Sequence, residues 1–237
     1  MLAILQARMN SSRLPGKVMK LINGRPSIEW QIERISKSKS VSQLVVATSH
    51  APTDDPLVDF LVTRDVEVHR GALDDVLSRF CEVVQRKKAE SFIRLTADCP
   101  LFMPTICDDM VDIFQSSDLD YVSNTIPPTF PNGCDVEVVR SSALFRVAAL
   151  KPSTEFREHV TLGIYSRRNM FHCRNYFNPR KRDDSRFRWT LDTERDLEFV
   201  RSVYSQFIGQ ETIFGYDDVM VLLDSGSVKE HLEVDQC

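Results

Sequence analysis

No stretch of this sequence is apolar for long enough to cross a bilayer, and its apolar opening, Met1 to Ala7, meets Arg8 too soon to form the core of a signal peptide. A cytoplasmic protein with no membrane partner is expected. Cysteine is sparse and scattered. Cys81, Cys99, Cys107, Cys134, Cys173 and Cys237 make no CxxC pair and no spacing that would build a zinc site or a disulfide framework, so reduced, mostly buried thiols are expected. There is no basic tract of useful length either. Arg180-Lys-Arg182 is followed by Asp183-Asp184, and the formal net charge of -4 gives no field that would draw in nucleic acid. No GxGxxG follows any predicted strand, which removes the usual support for a dinucleotide-binding oxidoreductase. A phosphate loop of the GxxxxGK[ST] kind is also missing: Ser11 stands where its first glycine belongs and Val18 where its metal-binding hydroxyl belongs.

What is present is an ordinary soluble composition, 42% apolar and 27% charged over 237 residues. Leu2-Ala-Ile-Leu5 has the character of a buried parallel strand that opens into a loop at Gln6. Pro26 can start a helix with Ile28, Ile32 and Ile35 on one face. Strand-like runs then recur at Leu44 to Thr48, Val66 to Val68 and Phe92 to Thr96. Helical patterns at Pro56 to Thr63, Asp74 to Lys88 and Pro104 to Gln115 alternate with them. This rhythm predicts an α/β fold with a mostly parallel central sheet flanked by helices, its ligands beyond the carboxyl ends of the strands.

From about Asn124 the rhythm changes. A proline-rich loop (126–131), an alternating strand Asp135 to Val139, helices near Ser141 and Glu155, and an aromatic stretch Phe171 to Phe177 follow. That stretch can serve as core or as a subunit contact. Arg188 to Leu191 is expected to return to the sheet as a strand, with a helix over Glu194 to Phe207. The chain is treated as one domain in three parts: about 1–122 for nucleotide binding, 123–187 for acceptor and dimer contacts, and 188–237 returning to the sheet.

The loop after the first strand, Gln6-Ala-Arg8-Met-Asn-Ser-Ser12-Arg13-Leu-Pro-Gly16-Lys17, gathers three cations and small polar residues at a strand end. Guanidinium forks match phosphate oxygens, Lys17 adds a mobile point charge, and Ser12 and the Gly16 backbone allow close approach. A triphosphate is the economical ligand. A solvated loop whose cations pair with surface carboxylates is the alternative that spacing leaves open.

The string Leu2 to Lys17 resembles the opening signature of cytidylyltransferases that activate acidic sugars, the acylneuraminate and 3-deoxy-manno-octulosonate enzymes, and in particular their SpsF-type relatives of spore-coat polysaccharide biosynthesis. The likeness continues through Arg70-Gly-Ala-Leu-Asp-Asp-Val-Leu-Ser-Arg79-Phe, Arg94-Leu-Thr-Ala-Asp-Cys-Pro100, Asn132-Gly-Cys-Asp-Val-Glu137, Glu158-His-Val-Thr161 and Leu191-Asp-Thr-Glu-Arg-Asp-Leu197. It spans nearly the whole chain. The resemblance implies a glycosyltransferase-A-like, Rossmann-like nucleotidyltransferase fold and transfer of CMP from CTP to an acidic sugar with release of pyrophosphate. A non-sugar phosphate or phosphonate acceptor, and a silent nucleotide-sugar-binding protein, are the rival readings.

Position by position, the resemblance implies that Arg8, Arg13 and Lys17 hold the triphosphate, with Lys17 near the α-phosphate. Gln6, Ala7, Ser12, Arg70 and Asp98 complete the nucleotide side, and Lys17, Arg8 and Asp98 form the catalytic set. Asp98 and Asp192 are the expected Mg²⁺ ligands, since hard carboxylates with phosphate oxygens and water suit that ion. Each could instead be a turn residue or helix cap. Asp196 resembles a second aspartate of the late motif, or simply favours a helix N-terminus. Arg70 is expected near the base, whereas Asp75 and Arg79, four apart, could form an intrahelical ion pair. Asn132, Asp135, Glu137, Glu158 and His159 are the acceptor candidates. A homodimer is expected by analogy.

Overall fold

A computed structural model of the chain describes residues 1–150 and 152–232, so Cys237 lies outside the described residues. The first half alternates as its periodicity demands. Strand β1 (Leu2–Gln6) leads through a 3-10 turn (Lys17–Met19) and a small hairpin, β2 (Leu21–Ile22) with β3 (Arg25–Pro26), into helix α1 (Ser27–Ile35). Strand β4 (Gln43–Ser49), helix α2 (Asp55–Val62), strand β5 (Glu67–Gly71), helix α3 (Val76–Lys87), strand β6 (Ser91–Thr96) and helix α4 (Pro104–Gln115) follow. The second half supplies β7 (Tyr121–Ser123), β8 (Glu137–Arg140), α5 (Ser141–Ala149), α6 (Thr154–Glu158), α7 (Leu162–Tyr165), β9 (Cys173–Asn175), α8 (Glu194–Ser205) and α9 (Tyr216–Asp224).

Among the described residues, seven strands join in the order β5-β4-β1-β6-β8-β7-β9. β5, β4, β1 and β6 run parallel, β8 is antiparallel to both its neighbours, and β9 lies parallel to β7 at the edge. β1 sits centrally and its alternation serves both faces: Ala3 and Leu5 enter one core, Leu2 and Ile4 the other. Helix α1 seals the first core with Ile28 and Ile35, whereas α3 seals the second with Val76, Leu77, Phe80, Val83 and Val84. Both apolar faces are those its sequence period predicts. The described cysteines are free thiols, with Cys99, Cys107 and Cys134 buried and Cys81 and Cys173 partly so. No helix among the described residues is long and apolar enough to cross a membrane.

Three expectations change. The strand expected over Asp135 to Val139 starts at Glu137, because Val136 gives its N–H to the Asn124 side chain instead of a ladder partner, 2.9 Å. Arg70 lies within β5, paired with Thr48, not beyond the strand. Arg188 to Leu191 forms no sheet strand. It makes one parallel bridge, Asn132 with Arg188, and spends its backbone bonds on the His231 carbonyl, on the loop around Gly133 and on Asp98. Gly133 makes that contact possible. At φ +111°, a Cβ there would lie 2.5 Å from the Trp189 carbonyl carbon and 2.6 Å from the Thr190 nitrogen. Gly133→Ala is expected to lose at least about 1–3 kcal/mol from backbone strain alone, read by chemical denaturation; unchanged stability would mean that the 132–133 and 188–190 segments do not pack this closely.

Candidate active site

Parallel register sets the floor of the site. Gln6 pairs with Ala47 on one side and Thr96 on the other, so β1 and β6 finish level while β4 runs two residues further, to Ser49. Beyond them the chain turns sharply. The Met9 carbonyl accepts from Ser11 and Gly16, at 3.0 and 2.9 Å, and Gly16 holds a left-handed φ of +67° that closes the loop. Leu14 and Val18 are buried as its anchors, leaving Arg8, Ser12 and Arg13 exposed and Lys17 half-buried. Asp54 fastens this loop from the neighbouring strand. Its carboxylate accepts from the Met9 N–H at 2.7 Å, the Thr48 hydroxyl at 3.0 Å, and both the N–H and hydroxyl of Ser49. Burial opposes its charge, yet these bonds outweigh burial and hold the carboxyl below its usual range.

The chain then brings together residues far apart in sequence. Lys17 Nζ lies 3.0 Å from Asp98 Oδ2 and 2.7 Å from Asp192 Oδ1. Asp98 follows β6 by two residues, and its carbonyl accepts from the Leu191 N–H at 2.7 Å and the Thr190 hydroxyl at 3.1 Å. That backbone clasp sets the two aspartates side by side. Asp192 also accepts from Arg13 at 2.9 Å and Arg188 at 2.7 Å. Asp196 resolves into a structural part: it completes a capping box with Thr193 at the start of α8, accepts from the Asp192 and Thr193 N–H groups, and meets Arg188 at 3.0 Å and His231 at 2.5 Å. Burial works against the charges of Lys17 and Asp98. For Lys17 the two aspartates more than offset it, so its ammonium titrates above the ordinary lysine range; for Asp98, Lys17 outweighs burial and lowers the carboxyl.

Two carboxylate oxygens converging on one ammonium form a donor set that a hard divalent cation can also use. Mg²⁺ takes a few carboxylates and completes its shell with water and phosphate oxygens. Asp98 and Asp192 therefore fit such an ion, with the Lys17 ammonium occupying the shared cation position.

Two cavities meet here. One, about 130 Å³, is lined by Gln6, Ala7, Arg8, Lys17, Arg79, Thr96 and Asp98, among others. The other, about 300 Å³, is lined by Arg94, Thr96, Asp135, Glu137, His159, Tyr165 and neighbours. Thr96 belongs to both. Glu137 is buried, accepting from Arg94, Tyr121 and, at 2.6 Å, the Thr161 hydroxyl. Burial would raise its pKa, but Arg94 and these bonds lower it. For Asp135 the Gly133 N–H and Arg94 favour the charge but are outweighed. Burial first, then the charge of Asp98, pushes its carboxyl up to about 7.

Other expected site residues stand apart. Arg70 spends its guanidinium on the Ser49 and Ala51 carbonyls, at 2.9 and 3.1 Å, and on Asp55. Glu158 is exposed and lines neither cavity, while Asn132 serves through its backbone, giving its N–H to Phe187 and accepting from Trp189. The ion pair between Asp75 and Arg79 does not form: Asp75 caps α3 through Ser78 and meets Arg157. Arg79, Arg188, Thr161, Tyr165 and Asp54 were not singled out as site residues. Arg188 carries a faint signal, being four residues before Asp192. Asp54 carries none, since its partners come from two other segments.

Known proteins agree with this architecture. Residues 2–220 match the family model described as cytidylyltransferase. The spore coat polysaccharide biosynthesis protein SpsF of Bacillus subtilis is 31% identical over 230 residues, covering 94% of this chain and 93% of that one. The 3-deoxy-manno-octulosonate cytidylyltransferase 2 of Hydrogenovibrio crunogenus is 30% identical over 119 residues, 49% of this chain and 47% of that one. Among solved structures, a cytidylyltransferase from Leptospira borgpetersenii superposes with a TM-score of 0.90 at 30% identity, covering 98% of this chain and 97% of its own. A CMP-2-keto-3-deoxy-manno-octonic acid synthetase complexed with CTP shares the fold at TM-score 0.65 and 20% identity, over 86% of this chain and 98% of its own. A mostly parallel sheet of this order, a fastened cationic loop and two aspartates paired just beyond β6 accompany that match over most of the chain, which belongs to the cytidylyltransferase family.

Proposed function

We propose that the protein transfers CMP from CTP to an acidic sugar, a nonulosonate or similar, in the cytoplasm and as a homodimer, for surface glycan assembly. The observation that carries this reading is the convergence of Lys17, Asp98 and Asp192 between a cation-lined cavity and a larger polar one. The octulosonate enzyme among the relatives and the CTP complex among the structures support the donor and the acceptor class. Phe177, 54% exposed beside the edge strand β9, is an apolar residue that a dimer could cover.

In this reading the acceptor hydroxyl oxygen bonds to the α-phosphorus and gives up its proton to solvent, while the bond from the α-phosphorus to the oxygen bridging it to the β-phosphate breaks and pyrophosphate leaves with that electron pair. Arg8 and Arg13 hold the triphosphate, and Lys17 stabilises the charge that grows on the α-phosphoryl oxygens. Asp98 and Asp192 would hold Mg²⁺, which when bound neutralises phosphate charge and lowers the acceptor hydroxyl pKa. Asp135, Glu137 and His159 face the acceptor. A carboxyl such as Asp135, half-protonated near neutrality, both donates to and accepts from sugar hydroxyls.

Pyrophosphate release from the four ribonucleoside triphosphates, with and without Mg²⁺ and across a panel of acidic sugars, tests the reaction. CTP-selective, metal-dependent release is expected, and Asp98→Asn should reduce it to background. An active Asp98→Asn enzyme would remove the metal assignment. Lys17→Ala leaves two carboxylates facing each other, so its melting temperature should fall in chelator and rise with Mg²⁺ by more than that of the wild type. Equal Mg²⁺ responses would count against a shared cation position. Asp135 offers a pH test with a definite sign. Its folded pKa near 7 exceeds the usual carboxyl value, so between about pH 4 and 7 the native state binds the extra proton and loses stability as pH rises. Asp135→Asn should remove that loss, and parallel stability curves for variant and wild type across this range would refute the raised pKa.

A further inference from the structure

Two arginines in this molecule are almost completely buried, and they are treated very differently. Arg34, 0% exposed, gives its Nε–H to the Phe102 carbonyl at 2.8 Å and its terminal nitrogens to the Glu211 and Phe214 carbonyls, each at 3.0 Å. The guanidinium of Arg79, a residue 1% exposed, hydrogen-bonds and ion-pairs with no described residue, and its Nε is buried without a partner. An uncompensated buried charge is among the costliest features a fold can carry. Nearby acids relieve it only through space: the charges of Asp54 and Glu82 favour the cation, but neither accepts a hydrogen bond from it. Asp54 has committed its oxygens to Met9, Thr48 and Ser49, Asp75 to Ser78 and Arg157, and Glu82 to His69.

The environment adds a second penalty. Arg79 lines the smaller cavity together with Arg8, whose guanidinium likewise has no hydrogen-bond or ion-pair partner among the described residues. The two positive groups oppose one another: burial first, and with it the charge of Arg8, outweigh the opposing pull of Asp54 and Glu82 and hold the pKa of Arg79 below the ordinary arginine value. Its position is nevertheless enforced. Gly71 at the end of β5 admits the side-chain stem, since a Cβ there would stand 3.0 Å from Arg79 Cγ. Lys17, the third cation of this wall, is already occupied by Asp98 and Asp192.

We infer that Arg79 and Arg8 are the two jaws of a polyphosphate clamp, Arg79 being a binding residue that closes its charge only on phosphate oxygens entering the smaller cavity. A neutral group would leave the buried Arg79 guanidinium without an anionic acceptor, whereas a di- or triphosphate supplies several anionic oxygens in the geometry a guanidinium fork accepts. The clamp deepens the proposed nucleotidyl transfer, placing donor polyphosphate and product pyrophosphate on the same pair of arginines. It also predicts a trade between binding and stability.

The test is calorimetric titration of the whole chain with inorganic pyrophosphate and, separately, with CTP, together with thermal melts without ligand. Arg79→Met, similar in length and uncharged, should weaken pyrophosphate binding roughly 10- to 100-fold while raising the melting temperature of the ligand-free protein. Arg79→Lys, which keeps the charge without the fork, should fall between the two in affinity and show no such rise. Unaltered pyrophosphate affinity in Arg79→Met, or no pyrophosphate binding by the wild type, would overturn the clamp. An Arg79→Met chain that melts lower than wild type would make Arg79 a structural residue and equally overturn it. Pyrophosphate binding without CTP binding would sink the transferase reading and leave the clamp standing.

Discussion

Everything at the carboxyl end of this sheet depends on one backbone clasp: the Asp98 carbonyl accepting from the Leu191 N–H and the Thr190 hydroxyl. Those bonds join the residues just beyond β6 to a segment more than ninety positions later that never becomes a strand. Without them the two aspartates would belong to separate loops. With them Asp98 and Asp192 share an ammonium, and an arrangement that would otherwise be mutual repulsion becomes a compact ionic centre.

The clasp is reinforced from outside by groups with no reach into either cavity. Gly133 lets the loop of Asn132 press against Trp189, Arg188 braces Asp192 against Asp196, and His231 backs Asp196 from near the end of the described chain. On the opposite side Asp54 performs the corresponding task for the Arg8-to-Lys17 loop. Charged side chains are thus positioned by other polar groups set on rigid elements, which keeps them pointed before any ligand arrives. The strain and desolvation collected here are set against two apolar cores, one on each face of the sheet.

Local pattern made the first half of the chain legible. Alternation in β1 and the 3.6-residue spacing of Val76, Leu77, Phe80, Val83 and Val84 are single-element signals, and both faces came out where periodicity put them. Lys17, Asp98 and Asp192 were legible as chemical types, and folding brought them together. Tertiary competition obscured the rest. The four-residue spacing of Asp75 and Arg79 favours an ion pair, but Asp75 is worth more as the cap of α3 and as the partner of Arg157, which comes from another helix. Arg70 falls within β5, not after a strand, and backbone carbonyls at and just after the end of β4 claim its guanidinium. Nothing in the run Arg188 to Leu191 says that its hydrogen bonds go to an irregular loop, because that information resides in Gly133 and Asp98.

The shared wall at Thr96 has an evolutionary consequence. Residues of the smaller cavity come from positions 6 to 98, while those of the larger one, apart from Arg94 and Thr96, come from positions 125 to 165. Each chamber can therefore drift under its own selection, with a single threonine as the hinge between two nearly independent modules. Exchange among homologues of the cavity-lining positions between 125 and 165, with Gly133 kept, would retune one chamber while Lys17, Asp98 and Asp192 stay in place in the other, a route by which one ancestral scaffold can diversify without being rebuilt.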